Sequence, residues 1–371
     1  MGEVPPQHKY QKSNSDTTTT SSLLAPRSSY NSEQHSISTT CTMTTARLQS
    51  MLDVLTGLNV DENLALAIGS LGEATAEIQL ILSNYVDHSN AYVGTQNASG
   101  DDQLHLDVKC DEAVFRAIKA SGVVSLAASE ETPVETQCGP DGGFAIGFDP
   151  LDGSSIIGAN FSIGSIFGIW PNNGTNSLLG RTGREQVASA VSMYGPRTTI
   201  CIALPPATLG NEKESSSSGV VIELTLVEDR SKWKVSRESI KILPSGKVFA
   251  PGNLRASNDN VKYDKLIKYW IAERYTLRYT GGMVPDVYHI FVKQKGVFCN
   301  VSSEKAKAKL RLLYEVAPMG LIVEIAGGVT THEAFEKSVL DVKLEDLDQR
   351  LGVCFGSKEE VATYKKFIFE N

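Results

Sequence analysis

The octapeptide FDPLDGSS, residues 148–155, places two carboxylates where a chain could bind a metal ion. Asp149 and Asp152 are three positions apart. Pro150 lies between them and disfavours a continuous helix, because the residue before a proline is pushed out of the helical region. The preceding FAIGF run is typical of a strand. We therefore expect both carboxylates at the end of a strand, where the chain turns and the two side chains can converge.

Small residues follow this acidic pair. Gly153 lets the backbone approach a ligand closely, and the amides of Ser154 and Ser155 could hold phosphate oxygens at the start of a helix. Carboxylates are ligands for Mg²⁺, so the octapeptide suits metal-assisted phosphate chemistry. The alternative is an ordinary surface turn, because Asp-Pro and Asp-Gly are common turn pairs.

Other acidic residues adjoin apolar segments. Glu130 and Glu131 follow an apolar strand and would repel each other unless a cation were nearby. Asp101 and Asp107 belong to a loop that leads into a helix, and Glu315 lies inside an apolar run where an unpaired charge is costly. Each could be a solvated strand end, a helix cap or half of an ion pair. Together they favour one acidic site.

Composition narrows the classes of function. The 371 residues are 41% hydrophobic and 21% charged, which is ordinary for a globular protein. The net charge of −8 argues against a nucleic acid partner, whose phosphates attract basic patches. The six cysteines have no paired spacing, which indicates reduced thiols rather than disulfides or a zinc site. We find no apolar run of membrane-spanning length, so no membrane partner is expected.

The chain divides into a tail and a folded part. Residues 1–43 are rich in Ser and Thr and poor in apolar residues, so we expect disorder, with a transit peptide as the alternative. Helical spacing from Leu48 predicts two opening helices, and later apolar runs bounded by Gly and Pro predict a substantial sheet. Residues 263–275 and 359–370 favour helices. This order of helices and strands predicts a layered α/β or α+β fold.

The acidic segments resemble those of the sugar bisphosphatase family, which includes enzymes acting on fructose 1,6-bisphosphate and on sedoheptulose 1,7-bisphosphate. The likeness covers residues 44–371, and FDPLDGSS, SIGSIFGIW, KLRLLYEVAPMG and the AGG at 326–328 carry it. Blocks such as TGREQVA, YGPRTT and YTLRYTGGMVPDV favour the seven-carbon branch. The resemblance implies an α/β/α/β/α sandwich with an N-terminal metal-binding half, about 44–220, and a C-terminal sugar-phosphate half, about 221–371.

The family pattern also implies roles for the acidic residues. It makes two or three Mg²⁺ ions the cofactor, held by a set of five ligands: Glu130, Asp149, the carbonyl of Leu151, Asp152 and Glu315. Asp101, Asp107 and Glu131 would orient and deprotonate the attacking water. A phosphate monoester is anionic, so catalysis must neutralise charge and hold this water in line.

The same pattern assigns the remaining pocket to substrate. Gly153, Ser154 and Ser155 would hold the phosphate that is cleaved. The distal phosphate and sugar hydroxyls would contact a second set: Asn253, Arg255, Arg278, Tyr279 and Lys309. The guanidinium of Arg278 suits a phosphate, and in family oligomers this arginine can serve a neighbouring subunit. The alternative for Lys309 and Arg311 is a solvated charge at a strand edge, and Met283 is expected in the core.

Three departures from the family pattern bear on specificity and regulation. Asn300 stands where the six-carbon enzymes generally have a tyrosine, and a smaller residue fits a longer sugar. Gly143-Phe144 replaces the Lys-Tyr pair of the AMP site, so we expect no inhibition by AMP through that site. Residues 88–104 contain no cysteine, whereas plastid relatives carry a redox pair there. This absence favours the cytoplasm, with the plastid as the alternative.

These features predict a phosphoric monoester hydrolase that removes the 1-phosphate of sedoheptulose 1,7-bisphosphate and assembles as a homodimer or homotetramer. The nearest alternative is a fructose-1,6-bisphosphatase or an enzyme acting on both sugars. A non-catalytic metabolite-binding relative is disfavoured, because every matched acidic position is still acidic.

Overall fold

The computed structural model describes residues 38–85, 92–96, 102–172, 174, 177–210 and 219–370. Its first part consists of three helices and a two-stranded hairpin: α1 (Ser38–Gly57), α2 (Glu62–Ser83), β1 (Tyr92–Gln96), β2 (Asp102–Leu104) and α3 (His105–Ser121). The two opening helices predicted from the sequence are confirmed. The first begins inside the predicted 1–43 tail, because helical periodicity becomes visible only where side chains such as Met51 and Leu55 are buried. The rest of that tail lies outside the described residues.

Eight strands form the larger sheet: β3 (Val124–Ser129), β4 (Thr136–Gln137), β5 (Phe144–Asp152), β6 (Ile163–Pro171), β7 (Ala188–Tyr194), β8 (Thr198–Leu204), β9 (Val220–Val227) and β10 (Lys232–Arg237). Their spatial order is β10-β9-β8-β7-β6-β5-β3-β4. Strands β3 and β5 are parallel, and the other neighbours are antiparallel. The apolar runs read as strands are confirmed.

These strands are continuous apolar runs because both faces of the sheet are buried. In β8, Ile200 and Ile202 pack into one hydrophobic cluster together with residues of α1, α2 and α3. The alternate residues, Cys201 and Ala203, face a second cluster on the opposite side. Successive side chains of a strand point to opposite faces, so a strand covered on both sides needs apolar residues at every position.

The second part of the chain alternates further strands and helices: β11 (Val248–Gly252), α4 (Val261–Ala272), β12 (Thr276–Leu277), α5 (Met283–Lys293), β13 (Val297–Asn300), α6 (Ala317–Ile325), β14 (Val329–His332), β15 (Val353–Gly356) and α7 (Lys358–Lys365). Its five strands form a separate sheet in the order β12-β11-β13-β15-β14. The predicted helices near 263–275 and 359–370 are α4 and α7. The larger sheet continues to Arg237, beyond the division expected near residue 220.

Three hydrophobic clusters show how these elements are layered. One joins α1, α2 and α3 to the larger sheet, and a second fills the space between the two sheets around α5 and α6. The third packs α4 and α7 against the outer face of the smaller sheet. The order is therefore helices, sheet, helices, sheet, helices, and the expected α/β/α/β/α sandwich is confirmed.

Helix α2 is long and apolar enough to cross a membrane by length and composition, but 67% of its most apolar segment is buried inside the protein. Leu64, Ile68 and Leu71 on this helix belong to the first cluster. Its apolar character is explained by packing in the outer helical layer.

A buried carboxylate ties the far edge of the larger sheet to α5. Glu223 on β9 is fully buried, and its oxygens accept hydrogen bonds from the hydroxyls of Ser236 (2.6 Å) and Tyr288 (2.7 Å). Arg237 forms an ion pair with the same carboxylate. The Tyr288 hydroxyl, on α5, also hydrogen-bonds to Thr199 at 2.6 Å. Removing one partner of such a network leaves a buried charge uncompensated, so the network stabilises the docking of α5.

We predict that Arg237→Ala lowers the free energy of unfolding by about 3 kcal/mol, because it leaves the buried Glu223 carboxylate without its cationic partner. Lys234→Ala on the same strand is the control. Both side chains of its pair with Glu228 are exposed, so its loss should have little effect on the free energy of unfolding. Urea unfolding at a fixed protein concentration measures both, and equal small losses would show that the buried network contributes no special stability.

Candidate active site

The octapeptide lies where β5 ends. Pairing of β5 with β6 is regular up to Asp149 and then shifts register before Asp152. The Asp149 side chain accepts a hydrogen bond from the amide of Leu151 at 2.9 Å, which holds the chain in a tight turn around Pro150. The strand end expected from the sequence is therefore confirmed.

Gly153 then turns the chain with a φ of +92°, in the left-handed region that glycine adopts without strain. It precedes a 3₁₀-helix, Ser154–Ala159, in which Ser154 is partly buried and Ser155 is exposed. Ile156 donates its amide to the Gly153 carbonyl at 3.0 Å. The amides that precede Ile156 lie at the helix start, where backbone donors face outward to a ligand or to water.

Glu315, from the second part of the chain, lies close to Asp149 and Asp152. It lies in a single π-helical turn, Leu312–Val316, directly before α6. Its carboxylate is buried and accepts the amide of Arg311 at 2.5 Å. An insertion of this kind within a helix redirects a side chain, and such turns are frequent at functional sites.

The three carboxylates converge. One oxygen from each of Asp149, Asp152 and Glu315 lies within 4.8 Å of the others. Burial and the neighbouring negative charges raise the pKa of all three, and that of Asp152 reaches about 7. Asp152 is also held by the first amides of α5, from Met283 (3.2 Å) and Val284 (2.6 Å). Like charges held this close, in a water-poor environment and with only oxygen donors, fit a hard divalent cation.

Glu130 lies at the edge of this cluster and pairs with Arg311. Its amide donates to the carbonyl of Phe148 at 3.0 Å, and its charge raises the pKa of Asp149, Asp152 and Glu315. The Arg311 guanidinium contacts both Glu130 and Asp348.

Arg311 is 5% exposed, so the solvated strand-edge alternative considered for it is wrong. The buried arginine supplies positive charge that offsets part of the acidic cluster. Its position inside the apolar run of Leu312 and Leu313 was a signal of this burial.

Two of the expected water-activating residues, Asp107 and Glu131, lie near Asp149 of the cluster. Asp107 is buried in the first turn of α3, and Glu131 is partly buried beside Glu130. Asp107, Asp149 and Glu131 all lie near the Cys110 thiol. Burial raises the pKa of this thiol, and the negative charges of these three residues, among others, raise it further. Asp101 lies outside the described residues.

The residues assigned to the sugar surround the start of α5 and the end of β11. Asn253 donates to the carbonyls of Val301 (2.8 Å) and Ala306 (2.9 Å), and the Arg255 guanidinium donates to its side-chain oxygen at 3.2 Å. The pKa of Tyr279 is raised by partial burial and by Asp286, which lies against Thr280. Asn253, Arg255 and Tyr279 are therefore neighbours.

Arg278 and Lys309 are both exposed. Arg278 donates to the Leu277 carbonyl at 2.8 Å. Lys309 lies in the segment that leads to Arg311. Met283 is buried in the central cluster as expected, while its amide holds Asp152, a contact that the sequence did not reveal.

Gly143 explains why the family's AMP-site lysine is absent. Its φ is +66°, and a Cβ there would lie 2.2 Å from the Val123 carbonyl oxygen. A lysine at this position would require the backbone to move.

Comparison with known proteins gives a consistent family. Residues 62–210 match the model of the N-terminal domain of fructose-1-6-bisphosphatase, and residues 242–369 match the model of its C-terminal domain. A chloroplastic sedoheptulose-1,7-bisphosphatase from Spinacia oleracea is 45% identical over 86% of this chain and 78% of that protein. A class 1 fructose-1,6-bisphosphatase from Pelobacter propionicus is 33% identical over 84% of this chain and 90% of that protein.

A crystal structure from Toxoplasma gondii, provisionally named sedoheptulose-1,7 bisphosphatase, has a similar fold. It has a TM-score of 0.76 and 37% identity, and the match covers 86% of this chain and 98% of that one.

We predict that, without divalent cations, the protein loses stability as the pH rises from about 4 to about 7. An ordinary aspartate has a pKa near 3.9, whereas that of Asp152 is about 7, so across this range the folded state holds a proton that the unfolded state has released. The free energy of unfolding therefore falls with pH. Thermal unfolding midpoints in a chelating buffer measure this trend, and Mg²⁺ should raise the midpoint most at the alkaline end.

Asp152→Asn is the control for this prediction. It removes one of the titrating groups and should flatten the dependence on pH, whatever its effect on the midpoint itself. Parallel curves for the wild type and the variant would show that the acidic cluster does not govern the trend.

Proposed function

The chain belongs to the fructose-1,6-bisphosphatase family, and from that premise we propose that it hydrolyses the 1-phosphate of sedoheptulose 1,7-bisphosphate to give sedoheptulose 7-phosphate and phosphate. The observation that supports the reaction type is the convergence of three carboxylates, those of the buried Asp149 and Glu315 and of the partly buried Asp152. The identity to a sedoheptulose enzyme, 45% against 33% for a fructose enzyme, supports the seven-carbon substrate. The protein is thus a phosphoric monoester hydrolase.

Enzymes of this family are metal-dependent phosphatases. We propose Mg²⁺ as the cofactor, with two or three ions per site. The proposed ligand set consists only of oxygen donors: Glu130, Asp149, the Leu151 carbonyl, Asp152 and Glu315. When bound, the divalent ions would offset the negative charge of the phosphate. Binding requires Glu130 to exchange its contact with Arg311 for the cation, and Arg311 keeps Asp348 as its partner.

The protein's own groups then orient the reactants. Asp107 and Glu131, together with Asp101, would accept the proton of the attacking water, because a carboxylate can act as the general base for a water held beside it. Gly153, Ser154 and Ser155 would donate their amides to the oxygens of the phosphate that leaves.

The distal phosphate and sugar would bind near the start of α5 and the end of β11. Arg255 and Tyr279 are adjacent, and Arg278 and Lys309 add positive charge that overcomes the acidic average of the chain. Asn253 fixes the Arg255 guanidinium through its side-chain oxygen. Family members are oligomeric enzymes that act on sugar bisphosphates. We propose that this chain forms a homodimer or homotetramer in which Arg278 can reach the neighbouring site.

Asn300 supports the longer sugar. It ends β13, and its side-chain oxygen is buried without a hydrogen-bond partner among the described residues. Its side-chain nitrogen lies near Gly252, next to Asn253. An unpaired acceptor here suits a sugar hydroxyl, and the small side chain leaves space that a tyrosine would fill. Fructose 1,6-bisphosphate, as the main or a shared substrate, is the alternative.

The compartment is the one expectation that the comparisons do not support. The sedoheptulose-bisphosphatase relatives from spinach, wheat and Chlamydomonas reinhardtii are named chloroplastic. We therefore favour the plastid over the cytoplasm, although residues 88–104 contain no cysteine.

We predict that the purified protein releases phosphate from sedoheptulose 1,7-bisphosphate with a kcat/KM at least ten times that for fructose 1,6-bisphosphate. Chelation of divalent cations should abolish the activity, and Mg²⁺ should restore it. Asp152→Ala should reduce kcat by more than about 100-fold while the protein stays folded, because it removes a proposed metal ligand. A preference for the six-carbon sugar would reverse the substrate assignment, and full activity in excess chelator would refute the metal assignment.

We also predict that Asn300→Tyr lowers kcat/KM for the seven-carbon substrate by about tenfold or more and that for the six-carbon substrate by much less. Asn300→Asp keeps the size of the side chain and serves as the control for volume. Equal losses of kcat/KM with both sugars in Asn300→Tyr would show that this position does not discriminate between sugars by their length.

A further inference from the structure

The two adjacent glutamates, Glu130 and Glu131, stand at the tip of a tight turn. The turn is closed by a hydrogen bond from the Ser129 amide to the Thr132 carbonyl (3.2 Å) and by one from the Thr132 amide to the Ser129 hydroxyl (2.8 Å). Two like charges side by side favour spreading of the chain. Something must therefore hold this turn closed.

Asp111 on α3 contacts the end of the turn. The Thr132 hydroxyl donates to its Oδ2 at 3.2 Å. Asp111 lies one helical turn after Asp107, on the same face of the helix, because residues four apart are neighbours on a helix surface. Helix α3 therefore carries both Asp107 and Asp111, the residue that contacts the adjacent turn.

Burial of the Asp111 carboxylate has a cost in free energy. Asp111 is 8% exposed, and its Oδ1 is buried without a hydrogen-bond partner among the described residues. Burial raises its pKa, and the nearby Glu112 adds to that effect. A buried, half-satisfied carboxylate normally destabilises a fold. The hydrogen bond that it accepts from the Thr132 hydroxyl offsets part of this cost.

We propose that Asp111 is a positioning residue for the proposed phosphatase reaction: it fixes the Ser129–Thr132 turn and thereby sets the directions of Glu130 and Glu131. It touches neither substrate nor the reacting atoms. The inference rests on the proposed function of this site. A small displacement of catalytic groups slows a reaction strongly. Loss of the contact between Asp111 and the turn should therefore lower kcat rather than the affinity for substrate.

The test compares three variants with the wild type. Asp111→Ala removes this contact and should lower kcat by about 10- to 100-fold, with KM for the sugar bisphosphate changed less than twofold, because the sugar residues lie in the other part of the chain. Asp111→Asn keeps an oxygen acceptor for the Thr132 hydroxyl and should retain activity within about threefold. Glu112→Ala, an exposed acidic neighbour on the same helix, should behave as the wild type.

A second readout needs no turnover. Titration with Mn²⁺ in the absence of substrate should show affinity several times weaker in Asp111→Ala and unchanged in Asp111→Asn, because Glu130 is a proposed ligand. If the wild type cleaves neither sugar bisphosphate, the proposed function fails, and the Mn²⁺ comparison still tests Asp111. If Asp111→Ala does not fold, Thr132→Val removes the donor instead and should lower both kcat and Mn²⁺ affinity in the same direction.

Wild-type kcat and Mn²⁺ affinity in Asp111→Ala, or in Thr132→Val where the alanine variant does not fold, would overturn the inference. Equal defects in the alanine and asparagine variants would also contradict it, because they would assign the effect to the charge of Asp111 rather than to its hydrogen bond.

Discussion

Repulsion among three converging carboxylates, two of them buried and one partly buried, is the constraint on which the rest of the site depends. At about 4.8 Å and an effective dielectric constant of about 20, each charged pair costs about 3.5 kcal/mol. Three such pairs in Asp149, Asp152 and Glu315 would approach the whole stability of a typical domain. The protein therefore has to protonate the cluster, as the raised pKa values indicate, or neutralise it with cations.

The fold is arranged to impose that proximity. The register shift at the end of β5 brings Asp149 and Asp152 together, and the π-helical turn before α6 aims Glu315 at them. The first amides of α5 hold Asp152, and α5 is docked on the larger sheet through the buried network of Glu223. The same helix begins beside the residues assigned to the sugar. The proposed metal site and the proposed sugar site are thus coupled through one rigid element.

Much of this could be predicted from the sequence, because local chemistry fixed it. Pro150 and Gly153 restrict the backbone enough to place a turn after a strand, and the apolar runs identify strands buried on both faces. Glu315 stood out because a charge inside an apolar run needs a partner. These signals act over a few residues and need no knowledge of the tertiary structure.

The contacts that hold the site together could not be predicted from the sequence in the same way. Arg311 and Glu130 are far apart in the chain, and only the packing of the two sheets brings them together. The amides of α5 that hold Asp152 carry no signature in side-chain type. Asp111 differs: its spacing of four from Asp107 was visible, but Asp107 was expected in the loop before the helix, and the turn that Asp111 contacts is defined only by the tertiary structure.

The central claim is that Asp149, Asp152 and Glu315 gather to bind divalent cations. The most direct measurement is anomalous diffraction from crystals of the wild-type protein grown with Mn²⁺. The account predicts a strong peak within coordination distance of carboxylate oxygens from all three residues. A well-ordered cluster without such a peak, in crystals that bind Mn²⁺ elsewhere, would contradict it.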